Sequence, residues 1–228
     1  MDRTVFDDRR AAGAALAREL AASGAERPDP VVLALPRGGV PVALEIARAL
    51  GAPLDLILVR KIGAPFQPEL AAAAVVDGDD PQMVVNDEVV RGTGMTQADL
   101  EAAKAEQLAE IERRRATYLG GRAPVAVAGR DAIVVDDGIA TGATMRTALR
   151  ALRRKGPRSL TLAVPVAAPD SLAPMRGEVD RVVCLKQPEP LYGIGAHYRD
   201  FHQLDDAEVR RLLAEADRIA GGAGAPGG

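Results

Sequence analysis

The residues best suited to chemistry in this sequence lie between Asp131 and Thr144. The apolar run Ala132–Val135 ends in two adjacent carboxylates, Asp136 and Asp137, followed by Gly138-Ile139-Ala140-Thr141-Gly142-Ala143-Thr144. In an open parallel sheet, ligands bind beyond the carboxyl ends of the strands, so a site is expected here. Backbone N–H groups of Ala140, Thr141, Gly142, Ala143 and Thr144 at a helix start would form an anion cradle, with the Thr141 and Thr144 hydroxyls as further donors. That half suits a phosphate. Two carboxylates turned on the same phosphate would repel it, so they serve a neutral or cationic part of the ligand, such as vicinal ribose hydroxyls or a metal ion. Together the segment reads as a recogniser of a sugar phosphate. The plainer alternative is an acidic helix start with Asp137 as its cap. That alternative requires neither Thr-Gly-x-Thr nor an uninterrupted apolar run before it.

The elements that must position this segment alternate. Apolar residues recur at helical spacing from Phe6 to Leu20 and stop at Ser23-Gly24. Val31–Leu35 and Leu54–Val59 read as strands buried on both faces, separated by a turn at Arg37-Gly38-Gly39 and a helix that closes at Gly51. Arg60–Pro68 reads as irregular, and Met83–Val85 as a short strand able to pair antiparallel with Ala72–Val76. Thr96–Asp99 resembles a capping box opening a long charged helix to about Tyr118, ended by Gly120-Gly121. A helix from Ala143 to Arg154, strands at Leu160–Val164 and Arg181–Leu185, and a helix from Glu208 to Ile219 complete the chain. This is an α/β pattern with an open parallel sheet of about five strands flanked by helices. One domain is expected over residues 1–220, with residues 221–228 as a disordered Gly-rich tail.

Composition narrows the partners. In 228 residues, 29 Lys and Arg face 32 Asp and Glu, a net charge of −3, which lacks the basic footprint of nucleic-acid binding. Every apolar stretch is too short to cross a bilayer, and the polar N-terminus carries no secretory signal, so a cytoplasmic protein is expected. The single Cys184 permits neither an internal disulfide nor a cysteine metal cage. There is no Trp, with three Tyr and three Phe, yet Tyr192, Tyr198, Phe201 and both histidines gather in one short stretch.

The segment Val134-Val135-Asp136-Asp137-Gly138-Ile139-Ala140-Thr141-Gly142-Ala143-Thr144 resembles the phosphoribosyl pyrophosphate (PRPP) loop of the type I phosphoribosyltransferases. The resemblance implies an Mg²⁺-dependent transfer of the phosphoribosyl group to a nitrogen acceptor, with pyrophosphate released. The 5′-phosphate would sit in the 140–144 cradle. Asp136 and Asp137 would hold the ribose hydroxyls and, through water, the metal. Leu35-Pro36-Arg37-Gly38-Gly39 falls where the family holds pyrophosphate. Arg37 offers a planar fork, and the two glycines allow close approach; an ordinary strand-to-helix turn with Arg37 solvated is the alternative. Lys61 matches the basic strand end from which the family's mobile flap begins, and the resemblance implies that it neutralises pyrophosphate, with Gly63 as a hinge; a solvated basic pair, Arg60-Lys61, beside a turn is the alternative here.

Two departures narrow the acceptor. Ala140 stands where enzymes for 6-oxopurines place an Asp general base, and Pro165-Val166 stands where they place a Lys. Both argue against a 6-oxopurine. The stretch 188–202 resembles the family's C-terminal hood, expected mainly within 186–204. Leu191 and Tyr192 would pack on the acceptor, and His197 replaces an acidic residue; the alternative is a local mini-core anchoring the last helix. The expected partners are PRPP and a small-molecule acceptor, with neither nucleic acid nor membrane, in a homodimer. A PRPP-binding regulator without turnover and a hydrolase using water as acceptor are the competing functions.

Overall fold

A computed structural model describes residues 5–22, 27–78 and 80–222. Its elements run α1 (Arg9–Ala22), β1 (Pro30–Ala34), α2 (Gly39–Leu50), β2 (Leu54–Leu56), β3 (Val59–Ala64), β4 (Gln67–Val76) and β5 (Gln82–Val85). They continue with α3 (Asp87–Thr93), α4 (Gln97–Leu119), β6 (Asp131–Val135), α5 (Ala143–Arg154), β7 (Ser159–Val166), α6 (Pro169–Leu172), β8 (Arg181–Lys186) and α7 (Asp206–Gly222). The expected helix stop at Ser23-Gly24 and residues 223–228 of the expected tail lie outside the described residues. Gly221 and Gly222 of that tail belong to α7.

The main sheet has five strands in the order β2-β1-β6-β7-β8, all parallel, as the alternating pattern predicts. Successive residues point to opposite faces, and both faces are covered. Val32, Ala34, Ile133 and Val135 pack against α2 and α7. Val31, Leu33, Ala132 and Val134 pack against α5 through Met145, Leu149 and Leu152. Each buried Val, Leu, Ile or Met among them contributes about 1.5–3 kcal/mol, and together they fix the level at which β1 and β6 end.

The expected strand Leu54–Val59 is corrected. The chain leaves the parallel sheet after Leu56, because the buried Asp77 carboxylate accepts the Leu58 N–H at 2.7 Å and the Asp77 N–H donates to the Leu58 carbonyl at 3.1 Å. Val59 then opens a second sheet, β3-β4-β5, fully antiparallel. Arg60–Pro68, read as irregular, is mostly a bulged hairpin with Phe66 at its tip in the left-handed region, φ 65°. Pro68 is tolerated inside β4 because β5 pairs only with Ala73–Val76, so no ladder partner is lost on that side. Gly63 sits at the bulge, where a Cβ would come 2.5 Å from the Pro68 carbonyl oxygen; its task is close packing. The expected pairing of Met83–Val85 with β4 is present, as is the capping box of α4, where Thr96 and Asp99 bond reciprocally. Among the described residues, no helix is long and apolar enough to cross a membrane.

The second sheet is pinned to the first by charge. From α4, Arg115 bonds both oxygens of Asp55 on β2 (2.9 and 3.0 Å) and one of Asp77 after β4 (2.7 Å), all three residues being buried. Burial pushes the Asp77 carboxyl above its usual range, and Arg115 acts against that push.

Candidate functional site

The site forms where β1 and β6 end side by side. The Asp136 carboxylate accepts the Asp137 N–H at 2.8 Å, turning the chain out of the sheet. Burial first, and then the neighbouring Asp137 charge, push the Asp136 carboxyl well above the usual range. A carboxyl so shifted holds its proton more readily and can donate as well as accept a hydrogen bond. The Asp137 carboxylate bonds Arg9 Nε at 2.8 Å, and its carbonyl accepts the Tyr198 hydroxyl at 2.6 Å. Burial and the nearby Asp137 charge drive the Tyr198 pKa upward, keeping it a neutral donor.

Beyond the carboxylates, Ile139 bonds the Val166 carbonyl at the end of β7, and the Ser171 hydroxyl donates to the Ala140 carbonyl. The loop is thereby fastened on its outer side. Gly142, at φ 76°, caps α5 without a side-chain bond, and a Cβ there would fall 2.1 Å from the Met175 methyl. Ala140, Thr141, Ala143 and Thr144 are exposed. Among the described residues, nothing bonds the N–H groups of Ala143 and Thr144, so the cradle is open to an anion.

The loop after β1 meets this site through backbone. Its Pro36-Arg37 peptide is cis. A Cβ on Gly38 would lie 2.1 Å from Asp137 Oδ2, and one on Gly39 2.7 Å from the Val135 carbonyl oxygen. The two glycines admit the end of β6 itself. The Arg37 side chain does not join the carboxylates: Nη1 donates to the Leu204 carbonyl at 2.9 Å, and Nε pairs with Asp206 at 3.2 Å, at the start of α7.

A groove of about 1010 Å³ lies between the second sheet and α5, lined by Arg60, Lys61, Thr144, Arg146, Thr147 and Arg150 among others. A hollow of about 80 Å³ carries Thr144 on to Pro36, Arg60 and Arg114. Lys61 is therefore an exposed strand residue bordering the same groove as the cradle, where the sequence placed it in an irregular segment just after a strand end. Arg114 escaped the sequence reading because only the fold brings α4 to Thr144; Arg146 and Arg150, on the same helix as Thr144, were not singled out, and Arg60 is the other half of the basic pair noted with Lys61.

Leu191, Tyr192 and His197 line neither space. Leu191 packs with Phe6, Ile194 and Phe201 around Val166 and Tyr198, the mini-core alternative. Tyr192 is 90% exposed. Burial and then the Lys186 charge lower the His197 pKa and favour its neutral ring. Arg9 reads from the sequence only as part of a helix cap and staple, Phe6-Asp7-Asp8-Arg9, because no local pattern announces a pair 128 positions apart.

Magnesium is commonly held by one or two carboxylates together with waters and substrate phosphates. Among the described residues, no group of three His, Cys, Asp or Glu forms an all-protein cage. Asp136 and Asp137 each keep one oxygen outside the bonds described above, so this donor set fits a water-bridged ion beside a phosphorylated ligand.

Residues 6–198 match the family model described as a phosphoribosyl transferase domain. Over 221 residues the chain is 47% identical to Rv0571c of Mycobacterium tuberculosis H37Rv and equally to MT0597 of strain CDC 1551, both carrying the name of a phosphoribosyl transferase. The match covers 97% of the chain and 49% of each relative, so the chain spans about half the length of the curated relatives it matches. The crystal structure of TT1426 from Thermus thermophilus superposes with a TM-score of 0.80 at 44% identity, covering 92% of this chain and 98% of that one.

Proposed function

The chain belongs to the phosphoribosyl transferase domain family, and on that premise we propose that it moves the phosphoribosyl group of PRPP to a nitrogen acceptor other than a 6-oxopurine, releasing pyrophosphate. The observation that carries the reading is the pairing, within one strand-to-helix loop, of an open N–H cradle at Ala143 and Thr144 with the two carboxylates Asp136 and Asp137. The cradle would take the 5′-phosphate. The free carboxylate oxygens would accept the ribose hydroxyls and stand beside the ring, where positive charge develops as the bond from C1 to pyrophosphate breaks. The new bond forms from the acceptor nitrogen to C1. Lys61 and Arg60 would face the departing pyrophosphate, with the backbone of 36–39 on the other side. Arg37 would help there only after leaving Asp206. Magnesium, held by Asp136 and Asp137 through water, would offset pyrophosphate charge. Ala140 and Pro165 leave a 6-oxopurine without the base and the lysine it would need.

Incubating the protein with PRPP, Mg²⁺ and a panel of nucleobases and amines, with pyrophosphate as the readout, tests this. Pyrophosphate release that depends on one acceptor, with hypoxanthine and guanine inert, is expected. Release without acceptor would identify a hydrolase, and binding without release a regulator; either contradicts the reading.

A further inference from the structure

Arg9 is the first residue of α1, yet its side chain ends inside the candidate site and is buried, 8% exposed. Its guanidinium makes three contacts with different parts of the fold. Nε bonds Asp137 Oδ2 at 2.8 Å, Nη1 donates to the His202 carbonyl at 2.9 Å, and the guanidinium lies 3.8 Å above the centre of the Phe201 ring. Phe201 stacks on Tyr198 with centroids 4.9 Å apart, and the Tyr198 hydroxyl bonds the Asp137 carbonyl at 2.6 Å. The contacts close a ring from Arg9 to Asp137 to Tyr198 to Phe201 and back. Asp137 is held by side chain and backbone at once, from segments at both ends of the chain.

From this we infer that Arg9 is a positioning residue for the transfer reaction, fixing the Asp137 carboxylate so that its remaining oxygen meets a ribose hydroxyl. The inference rests on the phosphoribosyl transfer proposed above. A guanidinium fork fits the task, because a carboxylate bonded on one oxygen by a planar, stacked partner loses its rotational freedom while its second oxygen stays free. Without Arg9, the Asp137 residue would keep the Tyr198 bond to its carbonyl while its carboxylate lost its side-chain partner. Arg9 supplies the compensating charge at Oδ2 and leaves Oδ1 unbonded by it.

The test compares kcat/KM for PRPP in the wild type, Arg9→Gln, Arg9→Lys, Asp137→Asn and the double variant Arg9→Gln/Asp137→Asn, with thermal melting of each and with Arg18→Gln, an exposed site on the same helix, as control. Arg9→Gln is expected to lose at least about tenfold in kcat/KM for PRPP while the KM of the acceptor holds. Arg9→Lys should recover part of the loss. The double variant should be no worse than Asp137→Asn alone, since both remove the same hold. A merely structural salt bridge predicts a lower melting point with kcat/KM unchanged below it; that result, or losses that add in the double variant, overturns the inference. If Arg9→Gln does not fold, Phe201→Leu removes the stacking surface and keeps the charge. A loss of several-fold then supports the inference, and unchanged kcat/KM overturns it. A wild type that does not consume PRPP overturns the transfer reading and this inference together, whereas a normal wild type with a normal Arg9→Gln overturns this one alone.

Discussion

Gly38 and Gly39 are permissive toward the fold itself. Read from the sequence as allowing close approach to pyrophosphate, they also let the loop after β1 pack on Asp137 and on the backbone at the end of β6. Gly39→Ala would press a methyl against the Val135 carbonyl and the Asp136 Cα, backbone atoms that cannot yield, and should cost about 1–3 kcal/mol in chemical denaturation. Gly38→Ala meets the Asp137 carboxylate, which can rotate if it breaks from Arg9; the expected result is a smaller stability loss with a large fall in PRPP use. Equal stability of both variants and the wild type would contradict the packing described. Asp136, Asp137 and Thr144 were legible because local order alone puts them at a strand end and a helix start. Arg9 was not, because its partner lies across the fold.

At the scale of elements, the parallel sheet was legible and the hairpin was not. Runs such as Val31–Leu35 and Ala132–Val135 are apolar at every position, which only a strand covered on both faces tolerates. The hairpin β3-β4 carries Gly63, Pro65 and Pro68, residues that ordinarily break strands, and it forms because tertiary bonds from Asp77 and packing on α4 outweigh those propensities. Its register also puts Lys61 on the groove shared with Thr144, while Arg60, whose Nε bonds Gln107 on α4, borders the hollow that leads from Thr144 to Pro36. Arg115→Met would leave Asp55 and Asp77 buried with most of their counter-charge removed, and should destabilise the protein by about 3 kcal/mol, with faster hydrogen exchange concentrated in β3, β4 and β5. An unchanged denaturation midpoint would show that the ion pairs do not hold the two sheets together.

For the whole molecule, three of the six Phe and Tyr rings mark where the segments around Phe6 and Tyr198 meet. Phe6 pairs with Tyr198 in a short parallel bridge, and the Phe6, Tyr198 and Phe201 rings form a small core against Val166. The gathering of rings visible in the sequence is thus largely structural, and Tyr192 alone of that group stands free in solvent. The surroundings of the cradle were the least legible property, because the groove beside it is lined by residues that only the folded hairpin and α5 bring together. The central claim, that the loop from Asp136 to Thr144 is a PRPP site, is tested most directly by calorimetric titration of PRPP with Mg²⁺ into the wild type and into Asp136→Asn/Asp137→Asn. The account predicts saturable one-site binding that weakens at least about tenfold, or about 1.4 kcal/mol, in the variant at an undiminished melting temperature. Equal affinity in the two proteins, or no binding by the wild type, would contradict it.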